Sequence, residues 1–139
     1  MRKIDEIIIH CSATKEGKDF NVDDIRRWHV NGNGWVDVGY HFVIRLDGRI
    51  EVGRPITMKG AHTTNHNANS VGICYVGGLD ENGKAKDTRT EAQKKALREL
   101  CHQLKCVFPT IDKVHGHNYY AAKACPCFKV EDEFDAATL

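Results

Sequence analysis

Three consecutive isoleucines near the N-terminus, Ile7 to Ile9, place the strongest constraint on how this chain can fold. They belong to the segment IDEIIIH, residues 4–10, and an unbroken run of β-branched residues is typical of a strand that is buried on both faces. His10 and Cys11 follow at once, and they must point to opposite faces because side chains alternate along a strand. His10 therefore stands at a strand end, where α/β proteins tend to form their sites.

Three later segments complete the predicted strands. In residues 39–53, GYHFVIRLDGRIEVG, two segments with alternating side-chain character flank Asp47-Gly48. This pattern predicts a hairpin with a two-residue turn. Residues 70–78, SVGICYVGG, form a second continuous apolar run, and residues 111–115 predict a short strand. In the hairpin, alternation predicts one shared face for Tyr40, Phe42, Ile44 and Leu46. Between these strands, residues 54–69 predict a long loop, and loops of this length in compact domains are often functional.

Capping residues mark two helices. Asn21 is a predicted N-cap, with acidic residues in the first turn, and this helix should end near Gly32 with Trp28 in the core. Thr90 and Gln93 form a capping-box pattern that opens the longest helix, which Pro109 stops. Residues 128–134 predict a short helix or turn. Strands alternating with helices indicate an α/β fold, and the 139 residues fit a single domain.

Charge and hydropathy argue against several classes of function. The formal net charge is +1, which gives no electrostatic reason to expect nucleic acid or an anionic membrane as partner. No apolar run approaches the ~20 residues of a transmembrane helix. Asp5 and Glu6 interrupt any signal-like segment, so we expect synthesis in a reducing cytoplasm without a signal peptide. The six cysteines are then expected as free thiols, with Cys74 and Cys101 acting as small buried hydrophobic residues.

A cluster of metal-binding residue types lies near the C-terminus, in VHGHNYYAAKACPCF, residues 114–128. His117 and Cys125 are separated by a loop span, so a third ligand would have to come from a distant segment, and His10 is the best candidate. Two imidazoles and one thiolate suit zinc, and three protein ligands leave a fourth position open, as in catalytic sites. Spacing alone supports equally well the alternative that these residues are packed in the core.

Four other residues are candidates for a site near such a metal. Lys123 lies two residues before Cys125, so it is close to the metal if Cys125 is a ligand and is otherwise a surface lysine. The Tyr40 hydroxyl is either a core group or a donor near the metal; with Lys123 it could stabilise the negative charge of a tetrahedral intermediate. Trp35 lines a groove or is structural. His62, in the long loop, is expected to contact substrate rather than metal. No carboxylate stands out as general base.

Several segments, in order along nearly the whole chain, resemble the type 2 N-acetylmuramoyl-L-alanine amidases. They are HCSAT at 10–14, GYHFVIRLDGRIEVGR at 39–54, GAH at 60–62, NSVGICYVGG at 69–78, TEAQKKAL at 90–97 and GHNYYAAKACPCF at 116–128. The resemblance is closest to the phage endolysin branch, and animal peptidoglycan recognition proteins share the fold. It implies a mixed central sheet with helices on both sides. It also implies cleavage of the amide between N-acetylmuramic acid and L-alanine in peptidoglycan.

Carried over residue by residue, the resemblance implies one zinc ion with the ligands His10, His117 and Cys125. It implies Tyr40 and Lys123 as the catalytic pair, and a place for His62 beside the substrate groove. Two positions depart from the family pattern. Asn118 stands where some relatives have a second histidine or an acid. Cys127 stands where glycine or serine is common, so that it could compete for metal or oxidise with Cys125.

The resemblance also leads to expectations about biological context. We expect a monomer without a separate cell-wall-binding domain, which acts on the wall after release or lysis. One alternative is a non-catalytic module that binds peptidoglycan without cutting it, although such relatives typically lack the zinc cysteine. A regulatory role toward a polymerase, which one phage relative combines with its amidase activity, stays open.

Overall fold

A five-stranded mixed sheet forms the centre of the computed structural model, which describes residues 1–139. The strands of the chain are β1 Glu6–Cys11, β2 Thr14–Lys15, β3 Phe42–Ile44, β4 Ile50–Val52, β5 Ser70–Tyr75, β6 Gly78–Leu79 and β7 Lys113–Gly116. The order in the main sheet is β4-β3-β5-β1-β7, and β2 pairs with β6 separately. Only the β3–β4 pair is antiparallel; β3, β5, β1 and β7 run parallel to one another.

β1 is an interior strand of this sheet, as the isoleucine run predicts. All six of its residues are buried, because β5 and β7 flank it on both edges and other layers cover both of its faces. Ile9 pairs with Ile73 of β5 on one side and with Gly116 of β7 on the other. Parallel strands that are covered on both faces need continuous apolar sequence, and β5 is fully buried as well.

Helices cover the sheet on its two faces. The helices are α1 Val22–Arg27, α2 Glu91–Val107 and α3 His117–Tyr120, with a π-helical turn at Trp28–Gly32 and 3-10 turns at Val130–Asp132 and Ala136–Thr138. α2 packs on the face that carries the main core, which contains Ile7, Ile9, Val71, Ile73 and Leu97. α1 contributes Ile25 to a smaller cluster with Val38, Val43 and Val76. The predicted mixed α/β fold is thus present.

Both predicted helix starts are confirmed at atomic detail. The Asn21 side chain accepts a hydrogen bond from the backbone of Asp24, and Thr90 does the same with Gln93, each in a reciprocal capping box. The prediction that Trp28 lies in the core is wrong: its side chain is 41% exposed and packs edge-on against Phe20. The α-helical turns end at this residue, whose backbone is still helical and donates to the Asp24 carbonyl, and a π turn follows over Trp28–Gly32.

The hairpin forms, but its turn and its faces differ from the prediction. Arg45 N–H donates to the Arg49 carbonyl and Gly48 N–H to the Arg45 carbonyl, both at 2.9 Å. The loop therefore holds three residues, 46–48, with Gly48 at a φ of 87°, which is the three-residue alternative to a two-residue turn.

Tyr40 does not share a face with Phe42 and Ile44. Phe42 and Ile44 pack with the main core, whereas Tyr40 and Leu46 pack against the smaller cluster on the opposite face. The carbonyls of Tyr40 and His41 both accept hydrogen bonds from the next strand segment, from Arg54 and Gly53 respectively, at 2.8 Å. Successive carbonyls of a regular strand point to opposite neighbours, so the alternation of side chains is interrupted here. Leu46 lies beyond the end of β3.

The remaining predictions about segments are confirmed with small shifts. Residues 54–69 contain turns but no helix or strand. Cys74 and Cys101 are fully buried, whereas Cys106 on α2 is exposed. None of the helices combines the length and the apolar character that a bilayer span requires.

Candidate metal centre and cleft

The parallel pairing of β1 with β7 brings His10 and His117 side by side. Ile9 pairs with Gly116, so the residues that follow them, His10 in β1 and His117 at the start of α3, stand beside each other at the carboxyl edge of the sheet. Their ring centroids are 4.7 Å apart. His10 is buried and His117 is partly exposed.

Cys125 completes this group from the loop after α3. The backbone N–H of Cys11 donates to Cys125 Sγ at 3.2 Å, and Cys125 Sγ lies 3.9 Å from His10 Nδ1. The hydroxyl of Tyr75 donates to the carbonyl of Pro126 at 2.6 Å, which fixes the loop to β5. The ligand atoms of His10, His117 and Cys125 all lie within 4.8 Å of one another. Two imidazoles and a thiol at this separation are a donor set that suits zinc.

A cleft of about 310 Å³ opens beside this group. It is lined by Trp35, Ala61, His62, Thr63, Thr64, Asn67, His117 and Lys123. Trp35, His62 and Lys123, which the sequence singles out from three separate segments, thus share one cavity with His117. No carboxylate is among the lining residues.

The electrostatic environment keeps both imidazoles neutral. Burial lowers the pKa of His10 well below its ordinary value, and His62, His117 and Lys123 lower it further. Burial followed by the charge of Lys123 also lowers the pKa of His117. Neutral imidazole is the form that binds a metal, so protons compete little for these nitrogens near neutral pH.

Tyr40 lies directly against His10, with ring centroids 5.1 Å apart. Burial raises the pKa of Tyr40 well above its ordinary value, and the nearby thiols of Cys74, Cys125 and Cys11 raise it further. The phenol therefore remains protonated and available as a hydrogen-bond donor. The interrupted alternation at residues 40 and 41 is what turns this side chain toward His10 rather than toward the main core.

His62 has a place that the sequence did not reveal. It lines the cleft as expected, but its Nδ1 also lies 2.8 Å from His10 Nε2. Thr63 Oγ1 is 3.3 Å from the same His10 nitrogen, and Asn67 Oδ1 accepts from the backbone N–H groups of His62 and Thr63 at 2.9 Å each. The loop length was the only signal in the sequence that could have indicated these contacts, because they join residues far apart in the chain.

His66, Asn118 and Cys127 lie near the site but outside the three-residue group. The ring of His66 stacks on Tyr120 with centroids 3.7 Å apart. The side chain of Asn118 donates to the Phe128 carbonyl at 3.3 Å. Cys127 Sγ faces Cys11 Sγ at 3.9 Å and the Gly78 carbonyl at 3.2 Å.

This fold and this group of residues define the class of protein. Residues 1–128 match the family model for N-acetylmuramoyl-L-alanine amidase. The chain belongs to that family, as its motifs indicate.

Similar proteins agree with this assignment. The endolysin of Klebsiella phage KP32 is 45% identical over 126 residues, which cover 91% of this chain and 82% of the endolysin. The solved structure of bumblebee PGRP-SA has a TM-score of 0.76 at 32% identity, covering 91% of this chain and 77% of that one. The N-acetylmuramoyl-L-alanine amidase LysC of Clostridium intestinale has a TM-score of 0.76 at 27% identity, covering 90% and 77%.

Proposed function

We propose that this chain is a zinc-dependent hydrolase that cleaves the amide between N-acetylmuramic acid and L-alanine in peptidoglycan. The observation that carries the proposal is the meeting of His10, His117 and Cys125 beside a cleft, in a chain of the amidase family. The similarity to a phage endolysin supports a bacterial cell wall as the substrate, reached after release or lysis of the producing cell.

His10, His117 and Cys125 would hold the metal. Their three donor atoms leave room for a fourth partner, which distinguishes catalytic from structural zinc sites. Zinc held in this way supplies Lewis-acid activation of water and of a carbonyl group. The chain prepares its donors for this role by keeping the imidazoles neutral and by directing a backbone N–H to the Cys125 sulfur.

Tyr40 and Lys123 are the donors that we assign to catalysis. Amide hydrolysis develops negative charge on the former carbonyl oxygen, and fixed donors that meet this charge lower the barrier. The Tyr40 phenol remains protonated beside His10, and the Lys123 side chain is exposed at the cleft next to His117. The two groups therefore offer a neutral and a cationic donor from different segments.

The cleft would bind the peptide stem and the adjoining sugar. Trp35 offers an aromatic surface, and His62 and Asn67 add polar groups, all on its lining. A mixed lining of this kind suits a substrate that carries both a sugar ring and peptide amides.

The decisive experiment pairs metal content with product analysis. Wild-type protein, stripped of metal and reloaded with zinc, is expected to hold one zinc ion per chain and to release stem peptides with a free L-alanine amino group from purified peptidoglycan. Cys125→Ser is expected to lose most of both. Cys106→Ser is the matched control, because Cys106 is an exposed thiol on α2, and it should behave as wild type.

Two outcomes would reject the proposal. Unchanged activity of Cys125→Ser would show that the reaction does not use this group. Wild-type protein that binds peptidoglycan in zinc-replete buffer without releasing product would identify a recognition module instead of an enzyme.

A further inference from the structure

We infer that His62, together with Ser70 and the carbonyl of His66, forms a hydrogen-bonded relay that fixes the tautomer of His10 and turns its lone pair toward Cys125. This inference rests on the proposed function, since it assigns to His62 a positioning role for a metal ligand. His62 is buried in the wall of the cleft.

The relay is a continuous line of polar atoms leading away from the candidate metal centre. His10 Nε2 lies 2.8 Å from His62 Nδ1. The other ring nitrogen, His62 Nε2, lies 3.3 Å from Ser70 Oγ. Ser70 Oγ in turn lies 2.6 Å from the backbone carbonyl oxygen of His66. These contacts join β1, the long loop and the first residue of β5.

The His66 carbonyl at the far end of this relay determines which atom donates in each of its hydrogen bonds. A carbonyl oxygen can only accept, so the Ser70 hydroxyl must donate to His66. The Ser70 oxygen then accepts from His62 Nε2–H, which leaves the lone pair of a neutral His62 on Nδ1. This lone pair accepts from His10 Nε2–H. The lone pair of His10 consequently lies on Nδ1, the nitrogen that faces Cys125 Sγ at 3.9 Å.

The opposite direction is unfavourable. If His62 Nδ1 carried the proton, Ser70 could keep its bond to His66 only by facing an unprotonated His62 Nε2 at 3.3 Å. If it donated to His62 instead, its oxygen would lie 2.6 Å from the His66 carbonyl oxygen without a proton between them. A buried carbonyl left unsatisfied in this way costs free energy. Because metal-binding histidines commonly donate their second N–H to an acceptor that fixes the ring, His62 fills the place that a carboxylate or carbonyl takes in other sites.

The surroundings of His62 hold the ring in this position. A Cβ added at Gly72 would lie 2.6 Å from His62 Cδ2, and one added at Gly60 would lie equally close. The absence of side chains at these two positions thus gives the ring its place against the sheet. The loop backbone on either side of the ring is fixed by Asn67, which accepts from the N–H groups of His62 and Thr63.

Thr63 is the competing partner. Its Oγ1 lies 3.3 Å from His10 Nε2 and 3.1 Å from His62 Nδ1. Both distances exceed the 2.8 Å between the two imidazoles, so the direct bond is the stronger one. We therefore expect Thr63→Val to retain most of the zinc affinity that a His62 variant loses.

The first test needs no zinc, and it uses a variant only to assign signals. In metal-free wild-type protein labelled with ¹⁵N at histidine, two-bond ¹H–¹⁵N spectra report which ring nitrogen carries the proton, and His10→Gln identifies the His10 signals by their loss. We expect the proton on Nε2 of His10 and on Nε2 of His62. A proton on Nδ1 of either residue overturns the relay, whatever the protein does with metal.

The second test measures zinc affinity by competition with a chelator. His62→Leu removes the acceptor at similar volume, and we expect zinc affinity to fall about 10- to 100-fold. His62→Asn carries a side-chain oxygen near the position of Nδ1, and it should recover most of this loss. His66→Leu is the matched control in the same loop, because only its backbone carbonyl belongs to the relay.

The outcomes separate this inference from the proposed function. Failure of wild type to bind zinc rejects the proposed function, and with it any role of the relay toward a metal. Wild-type zinc binding that His62→Leu leaves unchanged rejects the relay alone. Equal losses in the leucine and asparagine variants also reject it, because the acceptor would then be irrelevant.

Discussion

Replacement of Gly72 by alanine tests in one step how the sheet supports the candidate metal centre. Gly72 lies on β5 beneath the ring of His62 and is fully buried. An added Cβ would lie 2.6 Å from Cδ2 and 2.8 Å from both Cγ and Nε2 of that ring. Carbon atoms pack comfortably at about 3.5 Å, so the ring must move by roughly 0.9 Å. Gly60 approaches the same ring carbon and leaves it little space.

Two opposing effects determine how Gly72→Ala changes the free energy of unfolding. In a site with open space, the alanine would stabilise the protein by about 0.4–1 kcal/mol, because it restricts the unfolded chain. Overpacking of a buried site costs about 1–3 kcal/mol. We expect the clash to outweigh the gain, with a net loss of about 1–2 kcal/mol in the free energy of unfolding and a decrease of roughly 3–7 °C in the Tm of the metal-free protein. A ring shift of this size would also lengthen the 2.8 Å bond from His10 to His62 beyond hydrogen-bonding range.

The assay is thermal unfolding of metal-free protein, followed by zinc titration against a chelator. Gly32→Ala is the control, because an added Cβ there meets nothing within 4 Å, and its Tm should be equal to or slightly above that of wild type. If Gly72→Ala melts at the wild-type temperature and binds zinc as tightly, the packing argument for His62 is refuted.

Three further variants test the two catalytic donors and a hydrogen bond outside the cleft. Tyr40→Phe and Lys123→Gln should each lower kcat on a soluble muropeptide by about 10²–10³-fold with unchanged zinc content; a decrease of less than twofold in either variant contradicts its assigned role. Burial raises the pKa of Glu131, but the hydrogen bonds from His115 and from backbone N–H groups outweigh burial and lower the pKa overall. The stability that Glu131 contributes is therefore present above its unfolded pKa, near 4.5, and is lost as the pH falls through the lower folded value. The Tm difference between wild type and Glu131→Gln should be largest near pH 6–7 and should shrink below about pH 4; a constant difference over this range would contradict the assignment.

Features that depend on neighbours in the chain could be predicted from the sequence. The run Ile7–Ile9 indicates an interior strand because consecutive apolar residues point to both faces of a strand, and the structure buries all of them. The capping boxes at Asn21 and Thr90 need only a partner three residues away. Residue types alone suggest a zinc-binding group of His10, His117 and Cys125 but do not exclude ordinary core packing; the structure adds that their donor atoms lie within 4.8 Å of one another.

Features that depend on backbone irregularity or on distant contacts could not be predicted. Ideal alternation assigned Tyr40 to the face of Phe42, whereas two successive carbonyls bond to the same neighbouring segment and turn Tyr40 to the other side. A regular helical period assigns Trp28 to the core, whereas the structure leaves it 41% exposed where the α-helix passes into a π turn. In both cases an ideal periodicity does not decide which surface the residue meets, and no local residue signals the outcome.

His62 shows a different limit of sequence reasoning. Its residue type and its loop suggest contact with substrate, and it does line the cleft. Its second contact, to His10 across 52 positions of the chain, exists only because Gly72 leaves a space on β5 and Ser70 ends the same strand with a hydroxyl. Neither a glycine nor a serine in an apolar strand predicts this contact by itself, since either is compatible with an ordinary buried strand.

The sheet and the long loop make different contributions to the candidate metal centre. The register of β1 against β7 sets the separation of His10 and His117 before any ligand arrives, because Ile9 and Gly116 are paired by backbone hydrogen bonds. In the relay that we infer, the long loop determines which nitrogen of His10 carries the lone pair. It does so through the imidazole of His62, which occupies the space that Gly72 leaves on the sheet. We expect a site built in this way to lose metal affinity when the loop contact is removed, while its ligands keep their positions, and zinc affinity and the His10 tautomer are therefore more informative measurements than activity alone.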